Sequence, residues 1–371
     1  MKEIKETPFY SKKTGDLAKG CQMCVKGEKL VLYITGICPR QCWFCPLSDK
    51  RKDKDVIFVN EWETNSKDDL INEAKLSQAK GCGITGGDPL SKIERTVEYI
   101  KLLKNEFGKE FHIHLYTSLD LVNIESLEKL HKAGLDEIRF HLDLEDNKLW
   151  DRINLANIFN WDIGVEIPCI PNRLETIYDM CDFLDNKIKF LNLNEFEISE
   201  LNSEDMYKNG YEEKSDISHG IEGSMEVGNK ILFYCQDKTF NVHLCSSTLK
   251  DKVQMQNRFK LRAENVKTKY DIITDEGLLL RGIIYLKDFG IKEFKKGNYD
   301  KNSILKQLKE KEKFLEEEGL DLTIDEKKLR LISYPEHIEQ FRDTLKSLDL
   351  VPAIIEEDPT IEAFEVNVDY L

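Results

Sequence analysis

No run of 18 apolar residues occurs in this 371-residue chain, so no membrane-spanning helix is expected. The opening residues, Met1-Lys2-Glu3-Ile4-Lys5-Glu6-Thr7-Pro8, contain no apolar h-region, so no secretory signal is read and a cytoplasmic location is expected. Basic charge is also scarce: 54 Lys and Arg against 69 Asp and Glu leave a net charge of −15. That disfavours broad, non-specific nucleic-acid binding, which needs a basic surface, without excluding a small patch. Lys50-Arg51-Lys52-Asp53-Lys54 is one candidate patch, and a solvated loop is its simpler reading. Low-complexity segments are absent. What remains is a charge-rich globular composition, 40% hydrophobic and 33% charged, long enough for two domains.

Cysteine, by contrast, is plentiful. Ten cysteines without a secretory signal read as metal ligands or buried thiols rather than disulfides. Three of them fall within Cys38-Pro39-Arg40-Gln41-Cys42-Trp43-Phe44-Cys45, a C-x₃-C-x₂-C spacing. They follow the apolar run Leu30–Gly36, which reads as a buried strand. A loop at the C-terminal end of a parallel strand is where α/β folds place their chemistry. Three such thiolates can hold three corners of an iron–sulfur cluster and leave the fourth iron open, as a catalytic cluster requires. A fourth cysteine to close the cluster is missing nearby, since Cys82 is 37 residues beyond Cys45.

From about residue 30, strand and helix alternate. Candidate strands start near Leu30, Cys82, Phe111, Asp136, Asp162 and Lys189, and all but the first gap are about the size of one βα unit. Ser66 and Ser91 open apparent capping boxes, and Gly134 reads as a helix C-terminal glycine. The excursion from Pro46 to Thr64 holds Val56-Ile57-Phe58-Val59, a short strand or flap. Six units without a seventh or eighth predict an α/β fold, an incomplete parallel (β/α)₆ barrel over residues 29–200 with apolar, helix-covered strands. Residues 1–28 form a polar segment carrying Cys21-Gln22-Met23-Cys24. In the post-barrel segment, residues 201–250, Lys230–Cys235 and Thr239–Cys245 read as two strands joined by a turn at 236–238. Residues 251–371 read as a small C-terminal α+β domain with a hairpin around Asp275-Glu276-Gly277, a charged helix near Ser303–Glu318 and a helix from Glu336 to Leu348.

The cysteine motif, with Phe44 before its last cysteine, resembles the signature of the radical S-adenosylmethionine superfamily. One unit later, Gly86-Gly87-Asp88-Pro89 resembles that superfamily's Gly-Gly-Glu-Pro motif, with aspartate in place of glutamate. The chain as a whole is similar to archaeal relatives of pyruvate formate-lyase activating enzymes. The resemblance implies a [4Fe–4S] cluster on Cys38, Cys42 and Cys45, and S-adenosyl-L-methionine chelated at the open iron. Reductive cleavage would then give a 5′-deoxyadenosyl radical that abstracts hydrogen from a substrate. It also implies an electron donor such as ferredoxin or flavodoxin. A glycyl-radical enzyme, a small metabolite, and RNA or a peptide are the competing substrates. A non-catalytic iron–sulfur or zinc-binding protein is the rival from another class.

Further candidates sit at strand ends. Phe44, Gly86, Gly87 and Asp88 are read as cosubstrate contacts, the glycines by letting backbone carbonyls approach a ligand ammonium. Thr117 and Ser118 read as cosubstrate contacts or, for Ser118, as a helix N-cap. His141 reads as a ribose or substrate contact or a structural histidine. Glu166, inside an apolar strand, needs a partner, either the cosubstrate or a base such as Arg139. Asn194, Glu195, Glu197 and Glu200 read as substrate contacts or a solvated edge. Cys21, Cys24, Cys235 and Cys245, with His243 as a substitute, could form a second iron–sulfur cluster or a zinc site. Cys169, Cys181 and Cys82 read best as buried thiols.

Overall fold

Phe111-His112-Ile113-His114-Leu115-Tyr116 alternates apolar and polar residues, and the strand it forms buries nearly all of both sets. The same pattern recurs around the main sheet and decides what lies on its two faces. The computed structural model describes residues 1–199, 201–215 and 218–371. Glu200, grouped above with Asn194, Glu195 and Glu197, lies outside the described residues. The chain divides into two units, Met1–Arg258 and Phe259–Leu371.

The first unit opens with a hairpin, β1 (Ile4–Glu6) and β2 (Lys12–Thr14), then a short helix, α1 (Lys19–Val25). Strand β3 (Lys29–Tyr33) leads into the cysteine loop, after which β4 (Phe58–Val59) and β5 (Trp62–Glu63) form a small hairpin. Then come α2 (Lys67–Leu76), β6 (Gly81–Thr85), α3 (Ile93–Phe107), β7 (His112–Ser118), α4 (Ile124–Ala133) and β8 (Glu137–His141). Strand β9 (Asp162–Cys169), α5 (Leu174–Leu184) and β10 (Phe190–Glu195) follow. Beyond them lie α6 (Ser203–Lys208), the paired β11 (Glu213–Ser215) and β12 (Ser218–Ile221), α7 (Ser224–Tyr234) and β13 (Asn241–Cys245). Ser66 caps α2, its hydroxyl accepting from Asp69 N–H at 3.2 Å. Ser91 caps nothing: it lies inside a 3₁₀ turn, Pro89–Lys92, that Asp88 caps instead.

Among the described residues the parallel run is β3-β6-β7-β8-β9-β10-β13, seven strands rather than the six expected. Hairpin β1–β2 adds antiparallel to β13, and β4 adds antiparallel to β3. The expected hairpin over residues 230–245 is corrected. Lys230–Tyr234 ends helix α7, burying Val227, Ile231 and Leu232 and exposing Phe233, a helical spacing. Asn241–Cys245 then pairs in parallel with β10.

The outer faces of these strands carry Leu32, Ile84, Leu115, Phe140 and Leu193, all buried. Their inner faces are polar, which corrects the expectation of wholly apolar strands. Lys29, His114, Glu137, Arg139 and Asn192 are all buried there. Helix α1 packs against this inner face. Gly20 N–H donates to Glu137 at 3.2 Å, and a Cβ on Gly20 would stand 2.5 Å from an Arg139 nitrogen and 2.7 Å from His114. The Cys21 sulfur accepts from Arg139 at 3.5 Å and Asn192 at 3.2 Å. Strands β7, β8 and β10 thus all meet one helical turn, so the sheet curls round it. The Lys29 ammonium has three acceptors, Cys82 O, His112 O and His112 Nδ1, and burial lowers its pKa to about 8.

After β13 the chain continues as α8 (Ser247–Leu249), a π-helical turn (Lys250–Met255) and α9 (Gln256–Val266). The second unit contains β14 (Ile272–Ile273), β15 (Leu279–Leu286), α10 (Ile291–Lys296) and α11 (Lys301–Glu317). It ends with β16 (Leu322–Asp325), β17 (Arg330–Ser333), α12 (Pro335–Gln340), α13 (Arg342–Ser347), β18 (Leu350–Glu357) and β19 (Glu365–Tyr370). Its sheet is antiparallel, in the order β16-β17-β15-β18-β19, with β14 paired to β15. The single helix expected over 336–348 is two, α12 and α13, which meet at Phe341. Among the described residues, no helix is long and apolar enough to cross a membrane.

Candidate active site

The cysteine loop leaves β3 and is held from three sides. Below it runs the loop after β6, where Gly87 N–H donates to Thr35 O at 2.7 Å and Asp88 N–H to Ile37 O at 2.9 Å. A Cβ on Gly87 would stand 2.6 and 2.7 Å from the carbonyl oxygens of Gly36 and Ile37, and one on Gly86 2.5 Å from that of Thr35. Glycine is therefore demanded at both positions by two backbones in contact. From the side, Arg40 bonds the His141 carbonyl at 3.0 Å and Asp143 at 3.1 Å. From above, Phe44 packs edge-on against Trp43 and Phe196, and its carbonyl accepts from Asn202 at 3.0 Å.

Asp88 is fully buried and faces the end of β7. One carboxylate oxygen accepts from Leu90 N–H (2.9 Å) and Thr117 Oγ1 (2.8 Å). The other accepts from Ser118 N–H (3.0 Å) and Ser118 Oγ (2.7 Å). Burial raises its pKa against the pull of these donors. Both oxygens are committed to the protein and Asp88 lines neither cavity described below, so its reading as a cosubstrate contact is corrected: it clamps the β6 loop to β7. Thr117 and Ser118 line the site with hydroxyl hydrogens already given to Asp88. Ser118 is not a helix cap, because Asn123 caps α4 through a reciprocal pair with Ser126.

Two cavities adjoin at this end of the sheet. The first, about 270 Å³, is bounded by Cys38, Cys42, Cys45, Gly86, Gly87 and Ser118. The second, about 540 Å³, reaches into the lumen past Glu166, Asn194, Glu197 and Lys250. Phe44, Pro46, Thr85, Tyr116 and His141 line both. Burial, reinforced by Arg40, lowers His141 to about 4, so its ring is neutral at pH 7. Its Nδ1 lies 3.0 Å from the Glu166 carbonyl, which can only accept, so Nδ1 holds the proton and Nε2 is an acceptor. Glu166 accepts from Arg139 (2.8 Å), Asn192 (2.8 Å) and Asn194 (2.9 Å). Although burial opposes ionisation, Arg139 and these amides hold its pKa below the ordinary value. Arg139, one of the two partners weighed from sequence, is thus in place.

Of the four remaining candidate ligands, Cys21 and Cys24 on α1 and Cys245 at the end of β13 lie near one another, and Cys235 stands apart from them. Cys235 lies beside Cys181, whose face on α5 packs against α7. Cys245 packs with Val25 and Leu249. Cys21 binds Arg139 and Asn192, while Cys24 lines the larger cavity. His243 pairs with Ser11 at 3.1 Å. Among the described residues no three His, Cys, Asp or Glu side chains converge on a single metal ion. Cys169 is buried beside α7, and Cys82 and Cys181 are fully buried, as inert thiols would be. Sequence reasoning missed Arg40, Thr85, Tyr116, Phe196, Lys250 and Gln254, all of which line the cavities. Arg40 sits within the cysteine motif and Lys250 and Gln254 are four apart, but neither cue separates a lining residue from a surface one.

A family model described as the radical SAM superfamily matches residues 32–163. A Methanocaldococcus jannaschii protein named "Putative glycyl-radical enzyme activating enzyme" is 41% identical over 98% of this chain and 96% of its own length. The chain belongs to the radical SAM superfamily. Biotin synthase of Pseudoalteromonas translucida is 30% identical over 32% of this chain and 34% of its own length. The solved structure of methylornithine synthase aligns with a TM-score of 0.39 and 16% identity over 59% of this chain and 70% of that one.

Membership in the radical SAM superfamily makes this chain an enzyme and implies a [4Fe–4S] cluster and S-adenosylmethionine. The residues fit that cluster. Three thiols of one loop line one cavity, and cysteine thiolates are the donors that an iron–sulfur cluster takes.

Proposed function

We propose that Cys38, Cys42 and Cys45 hold the [4Fe–4S] cluster, that S-adenosylmethionine binds in the cavity they bound, and that the substrate enters the adjoining lumenal cavity. The observation carrying this reading is the shared wall: Phe44, Pro46, Thr85, Tyr116 and His141 line both cavities. When bound, the cluster supplies one electron for reductive cleavage of the sulfonium, which initiates hydrogen-atom abstraction.

The chain's own residues position and shield. The Gly86-Gly87 contact fixes the cysteine loop, and Arg40 ties it to His141 and Asp143. The neutral His141 offers Nε2 as an acceptor to a hydroxyl such as that of a ribose. Phe44, Pro46, Ile167 and Phe196 line the lumenal cavity with apolar surface that excludes water from the reacting atoms. The name of the M. jannaschii relative favours a protein glycine as hydrogen donor, with a one-electron donor such as ferredoxin or flavodoxin. The polar lumen favours a small molecule instead.

Electron paramagnetic resonance of the anaerobically reconstituted, dithionite-reduced protein tests the arrangement. S-adenosylmethionine should shift the cluster signal, and Cys42→Ala should remove the signal. An unchanged spectrum on adding S-adenosylmethionine would refute it.

A further inference from the structure

The charged groups of the lumenal cavity differ in how fully the protein occupies them. The Lys29 ammonium has three acceptors, and Glu166 has three donors. Glu195 accepts from Lys214 and from the N–H and hydroxyl of Ser247. Those groups are structural. Among the described residues Glu197 and Lys250 hydrogen-bond through their side chains only to each other: Lys250 Nζ meets Glu197 Oε1 at 2.6 Å, with side chains 34% and 30% exposed. Lys250 retains two N–H groups and Glu197 its second oxygen. Lys250 starts the π-helical turn, a wide turn often found at functional sites, and Gln254 on the same turn also lines the cavity. None of the cluster cysteines lines this cavity.

We propose that Glu197 and Lys250 form a substrate subsite, and that the group they hold is an α-amino-acid end, with its ammonium on Glu197 and its carboxylate on Lys250 and Gln254. The assignment rests on reading the lumenal cavity as the substrate's. It follows from charge balance. A lone anion would face Glu197 unpaired, and a lone cation would face Lys250 unpaired, each in a half-buried site where unpaired charge is costly. A zwitterion inserts between the two and gives every charge an opposite partner. The backbone of a protein glycine carries no formal charge and would gain nothing from the pair, so this subsite marks a small amino acid rather than a glycyl loop as the substrate.

The test is saturation-transfer NMR on the full-length, anaerobically reconstituted protein with S-adenosylmethionine present. The probes are the proteinogenic amino acids and ornithine, each beside its decarboxylated amine and its N-acetyl derivative. At least one free amino acid should bind, and its amine and N-acetyl derivative should bind at least tenfold more weakly. These arms need only the wild-type protein. The double variant Glu197→Gln/Lys250→Met removes both charges together, leaving no unpaired ion, and should bind that amino acid at least tenfold more weakly. Absence of amino-acid binding, equal binding of the amines or acetyl derivatives, or undiminished binding by the folded double variant overturns the proposal. Formation of 5′-deoxyadenosine by the wild type is scored separately, so failure of the radical chemistry is distinguishable from failure of the subsite.

Discussion

Replacing Asp88 by alanine separates a clamp from a ligand. The change deletes the acceptor for four hydrogen bonds, from Leu90 N–H, Thr117 Oγ1, Ser118 N–H and Ser118 Oγ. The two hydroxyls can rotate, and Thr117 already reaches the Ser118 carbonyl at 3.1 Å. The two backbone N–H groups cannot, and each buried unsatisfied donor costs about 1–3 kcal/mol. Removing the buried carboxylate relieves its own desolvation, so the net loss should sit in the lower part of the sum, about 2–4 kcal/mol. For a unit of this size that corresponds to a Tm lower by about 4–16 °C. All four tryptophans, Trp43, Trp62, Trp150 and Trp161, lie in the first unit, so tryptophan fluorescence reports its melting alone. Asp88→Asn keeps one acceptor oxygen and strands only the Ser118 N–H, so it should lose about half as much. An alanine variant that melts within about 1 °C of wild type yet no longer binds S-adenosylmethionine would refute the clamp and restore Asp88 as a ligand.

Other outcomes follow from the same geometry. Gly87→Ala places a Cβ 2.6–2.7 Å from two backbone oxygens of the cysteine loop, so iron uptake on reconstitution should fall well below wild type by colorimetric assay. Cys235→Ala should leave iron content unchanged, because Cys235 packs with Cys181 rather than with Cys21, Cys24 or Cys245. A variant that loses iron would reinstate a second centre. His112 is buried, and burial with nearby Lys29 lowers its pKa to about 2. The folded state then binds fewer protons than the unfolded below pH 6.5, so stability is full above that value and falls with pH. At pH 5 the loss from this one group is about 2 kcal/mol. His112→Gln keeps an acceptor for Lys29 and should reduce the acid sensitivity of the urea midpoint, read by tryptophan fluorescence.

Much of the site was legible because it is local in sequence. The cysteine triplet, the strand before it and the Gly86-Gly87 turn are short-range patterns. The role of Asp88 is not local in sequence: its partners, Thr117 and Ser118, lie one strand away, and only the folded sheet shows that both its oxygens are occupied. The Lys230–Cys235 run reads as a strand from sequence because a short apolar run has no decisive period. In the fold Val227, Ile231 and Leu232 form one buried helical face and Phe233 lies exposed. The polar lumen departs from the expectation of apolar strands, although His112-Ile113-His114 and Glu137-Ile138-Arg139 alternate in sequence. Its meaning was hidden until α1 was seen packed against it, admitted by the missing side chain of Gly20. Lys250 and Gln254 reach the cavity only through a π-helical turn, which no simple periodicity announces.

The most direct test of the central claim is product formation. Anaerobically reconstituted protein carrying about four irons per chain at Cys38, Cys42 and Cys45 should, with dithionite and S-adenosylmethionine, release 5′-deoxyadenosine and methionine. Cys38→Ala should release none. A fully loaded wild-type protein that forms no 5′-deoxyadenosine would contradict the account.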